Sequence, residues 1–298
     1  MLKSGKRGSA EPATGPSDLT HIIAEVAHAM TRNQKAIMTS LPDVAVEVMS
    51  LCQSGDIDVV QVERVIMRDP FVSAQIICLA NSPLFAPRMP IVSVRDAIVR
   101  IGQQTVSDLI LMVVTSSSMF RIPGFEAHVH EMTARFPATA LAARTLSLPA
   151  GLPMEQSFTV GLMHDIGDLV LLDTCVQGGS IQPEMARDPA LLSTILDAIH
   201  LHHCKVGEAV CNAWKLPSST IEAAAYHHDY RLGDGHRFAN LADAADVFTD
   251  ILGIGTSEKR ELDATDQAFK DLGLTKDQVQ EAMAQFLMVV PAIPQQGQ

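Results

Sequence analysis

The chain has 298 residues, of which 47% are hydrophobic, 19% charged and only 4% aromatic, the composition of a soluble globular protein able to bury one large core or two small ones. A formal net charge of −12 argues against an electrostatic grip on nucleic acid or on an anionic membrane, because both would repel such a surface. No uninterrupted apolar run approaches the roughly 20 residues of a membrane helix.

With few aromatics and 14 methionines, the core is expected to be aliphatic and methionine-rich, as in packed helices, so the fold class is all-α. Cys52, Cys78, Cys175, Cys204 and Cys211 are scattered and odd in number. Without a CxxC spacing they read as reduced residues of a cytoplasmic protein.

Residues 1–18 are rich in Gly, Ser, Ala and Pro, and no apolar stretch follows Lys3, Lys6 and Arg7. A disordered tail is expected there, not a secretory signal. An apolar stripe at Ile22, Ile23, Val26 and Met30 predicts a first helix from Asp18 or Thr20. Pro42 opens a second, with Leu41, Ala45, Val48 and Cys52 at helical spacing and Ser54-Gly55-Asp56 as its end. A third, roughly Val59 to Met67, stops before Asp69-Pro70, since proline disfavours helical geometry in the residue before it.

Pro70 then opens a fourth helix, with Phe71, Ala74, Ile77 and Cys78 on one face and Asn81-Ser82-Pro83 as its break. Ser93 with Asp96, and Thr105 with Asp108, form capping patterns ahead of two short helices that meet at Gly102. This half carries no titratable cluster. His21 and His28 read as surface residues, and Asn81-Ser82 as side chains that satisfy the backbone where a helix ends.

Arg121-Ile122-Pro123-Gly124 marks a junction, and nine of the eleven histidines lie from His128 onward. His128 and His130, two apart, diverge on a helix and make a weak metal pair. The stretch Gly161-Leu162-Met163-His164-Asp165-Ile166-Gly167 sets an imidazole and a carboxylate inside an apolar segment, where each needs a partner. In one helix the two would point about 100° apart. They converge on a metal only if other helices bring further ligands; otherwise they cap helices or sit in a hydrogen-bonded core network.

His164 and Asp168, four apart, share a face and can pair. His200, His203 and Cys204 can share another and bind zinc. Trp214, followed by Leu216-Pro217, reads as a packing anchor at a helix end. Thr256 to Lys270 is charged and helical in pattern, and Thr275 with Gln278 caps a last helix through Val279, Met283, Phe286 and Leu287. Pro291 and the Gln-rich end should fray. The acidic Asp263, Asp266, Asp271, Asp277 and Glu281 read as a solvated face.

The 161–167 stretch closely resembles the GLLHDIG signature of the HD superfamily, whose founding members are metal-dependent phosphohydrolases. Further pieces are Leu41-Pro42, Asp69-Pro70, Asn81-Ser82, Ile91 to Gly102, His203-Cys204-Lys205-Val206-Gly207, Trp214-Lys215-Leu216-Pro217 and His227-His228. In order and spacing they are similar, from about residue 36 to 250, to the HDOD domain of bacterial signalling proteins. The resemblance implies a multi-helix fold in which an N-terminal helical half (19–122) packs on an HD-like helical half (123–256), followed by a helical extension (257–298).

In active HD enzymes a histidine on a helix before the signature is the first metal ligand. Here the corresponding stretch is Arg135-Phe136-Pro137-Ala138-Thr139-Ala140, with no histidine. His227-His228-Asp229 resembles the element at which some HD families gather further metal ligands, but Asp234-Gly235-His236-Arg237 lacks the Gly-Tyr-Pro of the HD-GYP phosphodiesterases. Leu241-Ala242-Asp243 resembles the segment bearing the last aspartate ligand, with Asp246 as an alternative register.

The resemblance thus implies a degenerate site that keeps His164, Asp165, His203, His227, His228 and Asp243 without its first member. No metal or cofactor is expected; a metal that did bind would use His164, Asp165, His203 and Asp243. The expected function is a non-catalytic signalling module acting through a protein partner or a nucleotide effector. The alternative is an HD-type phosphohydrolase in which a metal held by His164, Asp165 and Asp243 activates water. No receiver, diguanylate cyclase or DNA-binding segment accompanies the domain, so partners are expected in trans.

Overall fold

The computed structural model describes residues 16–33, 47, 51, 59–68, 70–81, 89–114, 120–232, 235–255, 261–264 and 266–290. These residues form helices and no strand, the all-α class expected. Of the helix expected to open at Pro42 only Glu47 and Leu51 are described, and both are helical. Pro16 to Asp18, expected in the disordered tail, already belong to the first helix, while residues 1–15, Asp69, the Ser82-Pro83 break and the end expected to fray from Pro291 lie outside the described residues.

In chain order the helices are α1 (Pro16–Arg32), α2 (Val59–Ile66), α3 (Pro70–Ala80), α4 (Val94–Ile101) and α5 (Gln103–Val114). The second half adds α6 (Glu126–Ser147), α7 (Met154–Met163), α8 (Ile166–Gln177), α9 (Pro189–Ala213), α10 (Ser218–Tyr226), α11 (Arg237–Leu252), α12 (Gln267–Asp271) and α13 (Lys276–Val289).

Local chemistry sets many of these limits. The Ser93 hydroxyl accepts from the Asp96 N–H at 3.0 Å and caps α4. Gly102, at φ +84°, separates α4 from α5. Asn81 closes α3: its amide donates to the carbonyls of Ile77 and Ile91 at 2.8 and 2.7 Å and accepts from the Ile91 N–H at 2.8 Å. Thr275 and Gln278 form the reciprocal capping box expected for α13.

Three expectations need correction. The apolar face of α3 is Val72, Ile76 and Ala80, while Ala74 and Cys78 are exposed. That segment is apolar nearly all round, so periodicity alone selects no face. Thr105 does not cap α5, which starts at Gln103; Asp108 is instead buried and accepts from the Thr159 hydroxyl at 2.7 Å. Between Thr256 and Lys270, residues 261–264 are not helical, and the helix described there starts at Gln267, capped by Asp266. The Asp266 carboxylate accepts from the Ala268 N–H at 3.2 Å and fixes where that helix starts.

Helices α2 to α5 pack on one another, and α5 meets α7, where the Thr159–Asp108 bond crosses between the two halves. The long helix α6 runs unbroken through Pro137 and is flanked by α7, α11 and α13. Helix α9 lies against α8 and α10, and α1 packs on α9 and α8 of the second half. One continuous apolar cluster joins these elements. The C-terminal extension is part of it: Phe269 and Phe286 sit 5.7 Å, centroid to centroid, from the buried ring of Phe248.

Candidate functional site at the His-Asp turn

The His-Asp pair sits between two helices and not within one. His164 follows the last residue of α7, and Asp165 stands just before α8 with its side chain turned to the neighbouring imidazoles and not to the helix N–H groups. Glycines on either side permit this turn to be buried. A Cβ on Gly161 would stand 2.4 Å from the Thr139 carbonyl oxygen of α6, and one on Gly167 would stand 2.0 Å from the His203 carbonyl oxygen of α9. Substituting Gly167→Ala is therefore expected to force α8 and α9 apart and cost about 3 kcal/mol, read as a fall in the thermal melting midpoint.

Close approach brings four helices to the pair. The fully buried His164 ring directs Nε2 at Asp165 Oδ2 and, from α11, at Asp246 Oδ2, each 3.1 Å away, while its Nδ1 lies 3.0 Å from the Gly161 carbonyl. From α6, Arg135 reaches the other oxygen of Asp246 through Nη2 at 2.9 Å and Nε at 3.2 Å, and Asp250 through Nη1 at 2.7 Å. A Thr139–Asp246 contact of 3.4 Å closes the group.

On the far side, Asp165 Oδ1 faces the Nε2 atoms of His203 on α9, at 3.4 Å, and His227 beyond α10, at 3.1 Å. Asp168 contacts His200 Nδ1 at 3.5 Å. Beside the cluster lies a cavity of about 390 Å³ whose lining includes Arg135, Phe136, Asp165, Asp168, His200, His228, Asp243, Asp246 and Asp250.

Charge in this group is strongly coupled. Burial opposes a charge on His164, but the carboxylates of Asp165 and Asp246 outweigh it and hold its pKa well above the ordinary imidazole value. Burial likewise opposes ionisation of Asp165 and Asp246, yet their neighbours prevail: His164 holds Asp165 well below the usual carboxylate range, and His164 with Arg135 lowers Asp246. Asp165 raises His203 to about 12 and His227 to about 9 against the same burial cost. His228, open to the cavity on one side, is pushed down to about 3 by desolvation of its ring and by the charges of His227 and His203 beside it. The half-buried Cys204 thiol is raised by burial but brought down to about 6 by His203 and His227.

Residues 38–230 match the HDOD domain family. The chain belongs to the HDOD family. An uncharacterized protein of Treponema pallidum (strain Nichols) is 21% identical over 193 residues, 63% of this chain and 37% of that protein, so the match spans little more than a third of that relative. An HDOD domain structure of unknown function from Geobacter sulfurreducens superposes with a TM-score of 0.61 at 20% identity, over 90% of this chain and 97% of that one. A Shewanella amazonensis SB2B structure, provisionally assigned as a metal-dependent phosphohydrolase, gives 0.60 at 20% identity, over 89% and 99%. At such identities the likeness establishes the fold.

In this HDOD protein the turn gathers His164, Asp165, His203 and His227 into one contact network, with the exposed His228 on the cavity wall. On α11 it is Asp246, the alternative register, that meets His164; Asp243 lines the cavity. Asp168 contacts His200, and the partners of His164 are Asp165 and Asp246. His128 pairs with Glu131 at 3.4 Å. Trp214 is buried at the end of α9, as an anchor should be. Among the described residues no helix is long and apolar enough to cross a membrane.

Arg135 is the residue that sequence reasoning missed. Attention fell on the missing histidine in that stretch, although an arginine one turn before Thr139 in a largely apolar helix segment is itself a signal for a buried carboxylate partner.

Proposed function

We propose that this HDOD protein is a non-catalytic regulatory module of a bacterial signalling pathway, acting in the cytoplasm through a protein partner. The carrying observation is the guanidinium of Arg135, 2.9 Å from Asp246 and 2.7 Å from Asp250. One Asp246 oxygen is taken by Arg135 and the other by His164. A divalent ion at that end of the pocket would meet a fixed positive charge and a carboxylate already engaged on both sides. The residues present do not fit the metal that active HD enzymes hold there.

The cavity argues for a protein partner over a nucleotide effector. Asp165, Asp168, Asp243, Asp246 and Asp250 line it with Arg135, His200 and His228, so a phosphate entering it would meet more acidic than basic lining side chains. The competing reading, a phosphohydrolase, draws support from the convergence of His164, Asp165 and Asp246 within 3.1 Å contacts.

A generic activated phosphodiester, assayed with added manganese, magnesium or zinc, separates the two. No turnover above the protein-free rate is expected. Metal-dependent turnover that disappears in Asp246→Asn would refute the non-catalytic reading.

A further inference from the structure

A second cavity, of about 310 Å³, lies where the two halves meet and shares no lining residue with the cavity at the His-Asp turn. The first half supplies Ile101 from α4 and Leu109 from α5, on either side of the Gly102 corner. The second half supplies Met154 and Phe158 from α7.

Among these apolar groups stand two guanidiniums, Arg100 near the end of α4 and Arg144 on α6, against one carboxylate, Asp108. That balance is the reverse of the one in the first cavity, and it occurs in a chain of net charge −12. Asp108 is buried and accepts from the Thr159 hydroxyl at 2.7 Å, so its charge is stabilised from within the protein.

Arg100 is fixed at the rim. Its Nε lies 2.6 Å from Asp96 Oδ1 and its Nη1 3.3 Å from the Met89 carbonyl, and Nη2 takes part in neither contact. Arg144 is half-buried, in a stretch of α6 where Ala142, Ala143 and Leu146 are buried. A guanidinium in such surroundings attracts an anion more strongly than one in open water, and its planar fork suits the oxygens of a carboxylate or a phosphate.

A bare anion would leave the apolar wall against water, an uncharged ligand would leave the guanidiniums unused, and a cation would meet them. An apolar cavity with a few polar groups that fix orientation is the usual form of a small-molecule site. We propose that the cavity between α4, α5, α6 and α7 binds a small amphipathic anion, an acyl carboxylate or an alkyl phosphate ester. Its head lies at Arg100 and Arg144 and its tail along Leu109 and Phe158. Touching two helices of each half, the ligand stabilises their junction. It uses no residue of the His-Asp turn, so it goes beyond the protein-partner reading and stands apart from it.

Octanoate and octyl phosphate probe the two heads, octanol the tail without charge, octylamine the opposite charge, and acetate and inorganic phosphate the heads without a tail. Calorimetry and thermal unfolding of the full chain near neutral pH are expected to show octanoate or octyl phosphate bound once per chain, with a raised melting midpoint. The other four should bind at least about 10-fold more weakly. A tighter grip on one of the first two identifies the head.

With isotope-labelled methionine methyls, octanoate should shift the Met154 resonance and leave Met132, which lines the first cavity, in place. Arg100→Ala breaks a surface pair with Asp96 that contributes little to folding, and should bind octanoate about 10-fold more weakly. Met154→Glu changes a residue 45% exposed at the start of α7, where a carboxylate suits the helix, and should abolish the rise in midpoint.

The proposal is overturned if neither octanoate nor octyl phosphate binds, if octanol or octylamine binds as tightly, if binding is undiminished in Met154→Glu, or if Met132 shifts in place of Met154. The phosphodiester assay reads the other cavity: turnover there leaves this site standing, and failure of this site leaves the non-catalytic reading untouched.

Discussion

Arg135→Ala is expected to lower the melting midpoint by roughly 5–10 °C, from a loss of about 3 kcal/mol. Arg135 lies largely out of solvent and is the cation facing both Asp246 and Asp250. Truncating it takes the guanidinium from Asp250 and leaves Asp246 with His164 alone, in a site that already holds Asp165, and a buried charge short of partners costs far more than a surface pair contributes. Arg135→Lys should recover only part of the loss, since an ammonium cannot bridge two carboxylates with the planar fork used here.

Adding Asp246→Asn to Arg135→Ala should cost less than the sum of the two single changes, because the first leaves Asp246 with His164 as its remaining counter-charge and the second removes the carboxylate that lost the guanidinium. Thermal or denaturant unfolding of the four proteins forms the cycle. A single variant that melts with the parent would refute the assignment of Arg135 as the counter-charge of this pocket.

His164→Ala is expected to cost about 4 kcal/mol, because it removes the ring shared by Asp165 and Asp246 and opens a cavity beneath the turn. The same ring should leave a mark on pH dependence. Its folded-state pKa lies well above the ordinary value, so the folded chain holds this proton more tightly than the unfolded one. The contribution is full below the unfolded pKa of about 6.5 and is lost as pH rises through the folded value.

Asp165 and Asp246, lowered in the folded state, contribute above their unfolded pKa of about 3.9 and lose that contribution as pH falls. Denaturant unfolding from pH 7 to 9 should therefore show stability declining in the parent. His164→Gln, which keeps a hydrogen-bonding side chain without the charge, should remove about 1.4 kcal/mol per pH unit of that slope. Equal slopes in the two proteins would mean that His164 is not protonated between its carboxylates.

Helix limits written in short stretches were legible from the chain alone. Ser93 ahead of α4, Gly102 between α4 and α5 and the Thr275–Gln278 box depend on atoms within a few residues of one another, and Asn81 after α3 on one such contact, to Ile77. The face of α3 was not legible, because nearly every position of that segment is apolar and only neighbouring helices choose among them. The helical charge pattern likewise misled at residues 261–264, which are not helical, while Asp266 caps the helix that follows.

At the site the sequence marked His164, Asp165, His203, His227 and His228, the glycines that flank the turn and the want of a histidine on α6. Which of these groups touch was beyond it. His164 meets Asp246 across 82 positions, and Arg135 meets the same carboxylate across 111. By itself the sequence determined the helical class, the HDOD pattern and the presence of a His-Asp pair in apolar surroundings. Only the tertiary structure decided that an arginine neutralises one side of that pair and that two imidazoles and a thiol crowd the other. Spacing reports what shares a turn of helix, whereas the partner of a buried charge is set by which helices pack together.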